Sequence, residues 1–214
     1  MRTVILDIEK ASRHQLMNAA LAVRRGAVAV FPTDTVYGIG TGAFSKKGIR
    51  KIYSLKGRPP SKPLPILIDS VASLKKLAVW DKKTATLALR FWPGALTLIL
   101  KNGKAAPGRL KGLSGIGARR PDYKPLITWI KMLKVPLAST SANISGRPAL
   151  KRAADVLAVF EGKADYIFLG GNLPGTESTV ADMTREKPVV LREGAVPGKK
   201  IISALAKLRF RDSR

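Results

Sequence analysis

The sequence of 214 residues has no cysteine and a single histidine, His14. Without cysteine there can be no disulfide, no thiolate nucleophile and no cysteine-built zinc site. One histidine cannot make a multi-histidine centre, so no protein-held metal site is expected. His14 opens a helical pattern, where a surface or capping role is expected rather than catalysis. Aromatics are 6% of the chain, which leaves little for a base-stacking platform, and no aromatic-rich RNA-recognition signature is present. No apolar run approaches the ~18 residues of a membrane-spanning helix. The opening MRTVILD lacks the apolar region of a signal peptide, and no basic amphipathic helix carries bulky apolar anchors. A cytoplasmic protein without membrane contact is expected. A Walker phosphate loop is missing, and the glycines of GIGTG at 38–42 lack the spacing and the distal acid of a dinucleotide fingerprint.

Acids are the other scarcity. There are 14 against 39 lysines and arginines, a net charge of +25. Such a surplus attracts polyanions through its long-range field. It fits contact with RNA or an RNA-loaded partner; it also fits a lysine-rich surface kept for solubility or thermal adaptation, although thermal adaptation ordinarily brings glutamate as well.

What is present is a globular composition, 45% hydrophobic and 25% charged, with no linker, composition shift or internal repeat to divide it. One domain over 1–208 is expected, followed by a basic tail at 209–214. Period-2 and continuous apolar runs predict strands at 3–8, 27–31, 64–68, 97–100, 116–119, 135–139, 165–169, 179–183 and 188–191. A 3.6-residue period predicts helices at 14–25, 47–55, 70–77, 82–91, 124–133, 149–160 and 199–208. Strands mixed with helices imply an α/β fold, a mixed sheet with helices on its faces.

The chain is organised around residues 31–68. An apolar strand ends at Pro32, and a polar turn, Thr33-Asp34-Thr35, follows at its carboxyl end, where open α/β sheets usually bind ligands. Gly38, Gly40 and Gly42 let backbone pass close to a ligand or another strand. A helix then leads to Lys56-Gly57-Arg58-Pro59-Pro60, two cations in a proline-stiffened loop suited to an anion. Asp34 is the only acid between Lys10 and Asp69. Further on, Ser139, Thr140, Ser141 and Asn143 stand at a strand end and offer hydroxyls and an amide, although Ser-x-Asn by itself is usually a turn or cap. Arg119 can grip a carboxylate with two parallel bonds. Residues 101–114 form a basic loop, either a lid over a phosphate or a solvated connection.

PTDTVYG at 32–38, KGRP at 56–59 and PL at 63–64 resemble the opening half of a YrdC-like domain, the threonylcarbamoyl-AMP synthase family. FWPG-LT at 91–97, STSANISGRPA at 139–149, ESTVADMT from Glu177 and LREGAV from Leu191 resemble its second half. The resemblance spans residues 3–205 and implies a twisted mixed sheet flanked by helices around a basic concave groove. It implies synthesis of threonylcarbamoyl-adenylate and pyrophosphate from L-threonine, bicarbonate or carbon dioxide, and ATP, with Mg²⁺ carried mainly by the triphosphate. The product would pass to a separate transferase that modifies the adenosine beside the tRNA anticodon, with weak tRNA contact by the basic surface.

The resemblance also implies roles for individual residues. Lys56 and Arg58 would be catalytic, binding the phosphates. Lys62, Ser141, Asn143 and Arg192 would join Arg58 at the nucleotide. Thr35, Arg119, Ser139 and Ser178 would hold threonine, and Asp34 would order the turn. Two positions depart from the family pattern: Leu67 stands where many members have histidine, and Gly115 where many have threonine. The chain resembles the short single-domain form. The hydrogenase-maturation carbamoyltransferases, which also contain this domain, carry cysteine-rich modules that are absent here. The remaining alternative is a non-catalytic RNA-binding protein that uses the basic groove.

Overall fold

A computed structural model describes residues 2–106 and 115–212. Among these residues ten strands form one mixed sheet: β1 (Val4–Asp7), β2 (Ala29–Phe31), β3 (Gly38–Gly42), β4 (Ile66–Leu67), β5 (Leu96–Leu100), β6 (Ile116–Arg119), β7 (Leu137–Ser141), β8 (Tyr166–Leu169), β9 (Thr179–Asp182) and β10 (Val189–Arg192). Their order is β1-β8-β2-β3-β7-β4-β6-β5-β9-β10. Parallel pairs (β1 with β8, β8 with β2, β4 with β6, β5 with β9) are mixed with antiparallel ones, including the β9–β10 hairpin. Seven helices among the described residues surround the sheet: α1 (Arg13–Arg24), α2 (Lys46–Lys56), α3 (Val71–Leu74), α4 (Lys82–Phe91), α5 (Lys124–Leu133), α6 (Ala153–Phe160) and α7 (Gly198–Asp212). The α/β sheet flanked by helices is the expected one.

Side-chain alternation along the strands assigns each residue to one of two layers. Val30, Ile39, Ile66, Leu96, Leu98, Ile116 and Ala118 face a layer completed by Ile52 of α2, Leu87 of α4, Phe160 of α6 and Ile201 of α7. Their neighbours Ala29, Phe31, Leu67 and Leu137 face the opposite layer, which α1 and α5 cover with Ala20, Val23, Trp129 and Leu133. Two helices are too few to cover that second face of a ten-stranded sheet. Its far half, across β4, β6, β5, β9 and β10, therefore lies open, and the open half is the floor of a cavity.

Close approach of strands explains the glycines of β3. A Cβ at Gly40 would lie 2.8 Å from the Ala138 carbonyl and 3.0 Å from the Phe31 ring, so the demand at Gly40 comes from the core rather than a ligand. Three local readings change. Helix α2 runs through Lys56 and is closed by Gly57 at φ 57°, the left-handed cap that glycine favours. The helix expected at 70–77 is confined to Val71–Leu74, and the Ser70 hydroxyl donates toward Asp69 rather than capping it. Helix α7 runs on through Asp212, into the expected tail, while residues 213–214 and the Arg109 and Lys111 of the basic loop lie outside the described residues.

Candidate active site

The cavity has a volume of about 490 Å³, within the usual range for a small-molecule site. Because β4, β5 and β6 alternate, Leu67, Thr97, Ile99 and Arg119 project into it while Ile66, Leu98 and Ala118 face the core, and Ser139, Thr140 and Ser141 line it from β7. The structure brings together Thr35, Arg58, Arg119, Ser139, Ser141, Ser178 and Arg192 in its lining. Lys56, Lys62 and Asn143 are not in the lining.

Arg119 ends β6 and is 6% exposed. Its Nε donates to the Gly94 carbonyl at 3.0 Å, its Nη1 to Thr35 Oγ1 at 3.1 Å and its Nη2 to Asp34 Oδ1 at 2.5 Å. Burial lowers its pKa and the Asp34 carboxylate opposes that shift; a guanidinium stays charged under both influences. Asp34 thus does more than order its turn, since it is the counter-ion that lets a cation be buried. The turn is held internally: Thr33 Oγ1 donates to the Val36 carbonyl at 2.7 Å and accepts from the Thr35 amide at 3.0 Å. The FWPG turn supplies Gly94, which explains why a motif remote in sequence serves the same wall.

The opposite wall is Arg192 with its partners. Its Nη1 pairs with Glu177 Oε1 at 3.0 Å, and its Nε and Nη2 donate to the Ser178 carbonyl at 3.1 and 2.9 Å. Ser178 Oγ lies 2.9 Å from Thr97 Oγ1. Glu177 and Thr97, both in the lining, had no role assigned from sequence, although both sit inside quoted motifs. Arg58 closes the third side. Its Nε and Nη2 donate to the Lys62 and Pro63 carbonyls at 3.0 and 3.1 Å, and the Tyr53 side chain is a further hydrogen-bond partner. Lys62 contributes that carbonyl, as the anchor that aims Arg58.

Lys56 is 2% exposed. Its Nζ donates to the Ser141 carbonyl at 2.5 Å, the Asn143 carbonyl at 2.7 Å and Asn143 Oδ1 at 2.8 Å. An ammonium has three donors, so none is left for a phosphate. Asn143 is equally committed: Oδ1 also accepts from Ser141 Oγ at 2.8 Å, and Nδ2 donates to the Ile144 and Arg147 carbonyls at 3.1 and 2.5 Å. Lys56 and Asn143 form a clasp behind the 141–143 turn, and Ser141 is the member that faces the cavity. Of the two departures, Leu67 adds apolar floor, and a Cβ at position 115 would meet the Leu100 carbonyl at 2.0 Å, so this backbone does not admit a side chain there.

Burial, then the nearby Arg58 guanidinium, push the Lys56 pKa down to about 8, against the pull of Glu177. Since the protonated form makes the third bond, the clasp should weaken as pH rises through about 8. The Asn143 side-chain amide signals in nuclear magnetic resonance should shift with a midpoint near that pH. Lys56→Arg, which does not titrate there, should abolish the shift; a flat wild-type curve would contradict the assignment.

Among the described residues no group of three or more His, Asp or Glu side chains converges as a metal site. The two carboxylates at the cavity, Asp34 and Glu177, are each bound to an arginine. No described helix is long and apolar enough to cross a membrane.

A family model for Sua5, YciO and YrdC, described as "Telomere recombination", matches residues 21–194. The threonylcarbamoyl-AMP synthase of Pyrococcus abyssi is 37% identical over 97% of this chain and 62% of its own length, and that of Bacillus subtilis is 38% identical over 87% and 55%. The crystal structure of P. abyssi Sua5 complexed with L-threonine superposes with a TM-score of 0.88 at 38% identity, over 94% of this chain and 61% of that one. The chain thus spans roughly three-fifths of the length of these relatives.

Proposed function

Because the chain belongs to the Sua5/YciO/YrdC family, we propose that it makes threonylcarbamoyl-adenylate and pyrophosphate from L-threonine, bicarbonate or carbon dioxide, and ATP. The observation that supports this most is the cavity wall, in which three arginines converge with a row of hydroxyls that no histidine in the lining activates. The product's atoms define the steps. The threonine amine captures carbon dioxide as a carbamate; a carbamate oxygen forms a bond to the α-phosphorus of ATP; the bond to the β-phosphate oxygen breaks and pyrophosphate leaves. No protein nucleophile is required, only reactants held in line and charge neutralised as it develops.

In this reading Arg119, with two N–H groups beyond its three bonds, receives the threonine carboxylate beside the hydroxyls of Thr35, Ser139 and Ser178. Arg58 and Arg192 face the phosphates, and Ser141, whose proton is held by Asn143, accepts from the nucleotide. The catalytic cation is Arg58, with Lys56 acting through the clasp. Mg²⁺ enters as part of the Mg·ATP substrate, since the carboxylates here are already paired and Mg²⁺ favours phosphate oxygens and water. The adenylate would be consumed by a transferase that modifies the adenosine beside the tRNA anticodon, which places the work in the cytoplasm, and the surplus charge of +25 supports weak tRNA contact. A non-catalytic RNA-binding module would need outward-facing cations in the groove, whereas Arg119 is buried and internally paired.

The test is incorporation of labelled bicarbonate. With ATP and threonine present, label should appear in a species that releases AMP on hydrolysis; label recovered only as free bicarbonate would reject the reading.

A further inference from the structure

Helix α2 joins two sites. Its C-terminus carries the clasp and Arg58 at the cavity; its N-terminus lies at the other end of the sheet. Gly38 lines the cavity, and Gly42, four residues on, is displaced by about 13 Å along β3. At that far end three chain segments meet. A Cβ on Gly42 would touch the Arg24 backbone at 3.0 Å, and one on Gly26 would lie 2.5 Å from Ser45 Oγ. The Ala43 amide donates to the Pro136 carbonyl at 2.9 Å. The C-termini of α1 and α5 and the N-terminus of α2 therefore share one surface.

That surface exposes Arg24, Arg25, Lys46, Lys47, Arg50 and Lys134. None of the six is in an ion pair among the described residues. No acid occurs in residues 10–33, 35–68 or 123–154, and Asp165, which reaches α2, is bound to Lys51 and the Val28 amide. Lys46, Lys47 and Arg50 stand in the first two turns of α2 with no acid beside them. The helix dipole places its positive end there, so these cations oppose it. A local rule broken without an internal partner points to an external one. Amid the cations Phe44, 51% exposed, offers a ring at the helix entrance.

We propose that this face docks RNA, with backbone phosphates on the six cations and an unpaired base stacked on Phe44. The inference rests on the reading of RNA contact above and names its surface, remote from the chemistry. Cations with an aromatic ring are the combination that holds single-stranded nucleic acid, whereas a lipid surface calls for several apolar anchors.

The experiment measures anisotropy of labelled tRNA and of a short single-stranded RNA against salt, using the wild-type chain, K46Q/K47Q/R50Q and F44A. The triple variant should bind tRNA at least ~10-fold more weakly at low salt, with a log–log salt slope shallower by about two to three, since each lost phosphate contact removes ~0.7–0.9. Its thermal midpoint should hold or rise, because the removed charges oppose the dipole, and its pyrophosphate formation should be unchanged. F44A should weaken the single strand several-fold and a duplex little. Wild-type tRNA binding with an unchanged affinity and slope in the triple variant would overturn this surface while leaving RNA contact standing. An enzymatically active wild type that binds no tRNA at low salt would overturn both, as would patch-dependent binding to phosphatidylserine vesicles in place of RNA. Patch-dependent tRNA binding by a chain that forms no adenylate would uphold the surface and reject the synthase reading.

Discussion

Arg58→Ala should lower turnover by about two orders of magnitude or more, the scale for removing one group aimed at transition-state charge. The side chain bonds to carbonyls of its own loop and to the neighbouring Tyr53 side chain at the protein surface, so stability should fall by only about 1–2 kcal/mol. Steady-state kinetics beside a thermal melt separates the two effects. Near-parental turnover in a folded Arg58→Ala protein would move the phosphate site elsewhere on the cavity wall.

Lys56→Met should behave differently, although the two residues are neighbours in the KGRP motif. Removing the ammonium leaves the Ser141 and Asn143 carbonyls and Asn143 Oδ1 without their shared donor in a buried place. An unsatisfied buried acceptor costs about 1–3 kcal/mol, and partial relaxation of three of them gives roughly 2–5 kcal/mol overall. Turnover should fall by about two orders of magnitude as well, because Ser141 loses its fixed orientation and small misplacements are expensive in rate. Denaturant melts read the first effect. A Lys56→Met protein as stable as the parent but inactive would instead make Lys56 a direct phosphate ligand.

Part of this was legible in the chain. Helices α4 and α5 and strand β6 begin and end where the periodicity predicts, because each carries a full amphipathic or buried run bounded by a clear breaker. The residues quoted from the motifs largely do converge on one cavity. What the sequence did not disclose is direction and pairing. Lys56 reads as loop because Gly57 and two prolines follow it, yet Gly57 is the helix's own cap, so Lys56 sits on the last turn and points into the wall. Glycine after a periodic run is the signal that could have found this. The Arg119–Asp34 pair spans 85 residues, and no local pattern anticipates it. The Arg192–Glu177 pair depends on how β10 folds back on β9. Asn143 looked like a ligand amide, and only its four internal bonds identify it as part of the clasp. The same tertiary assembly leaves Arg119 paired with an internal carboxylate.

A condensation that needs threonine, inorganic carbon and ATP together is read out by pyrophosphate release. In degassed buffer with Mg²⁺ and ATP, threonine and bicarbonate are supplied singly, jointly or not at all. Pyrophosphate should appear only in the joint mixture, in one-to-one ratio with threonylcarbamoyl-adenylate. Release that proceeds equally fast without threonine would contradict it and make the chain a nucleotide hydrolase.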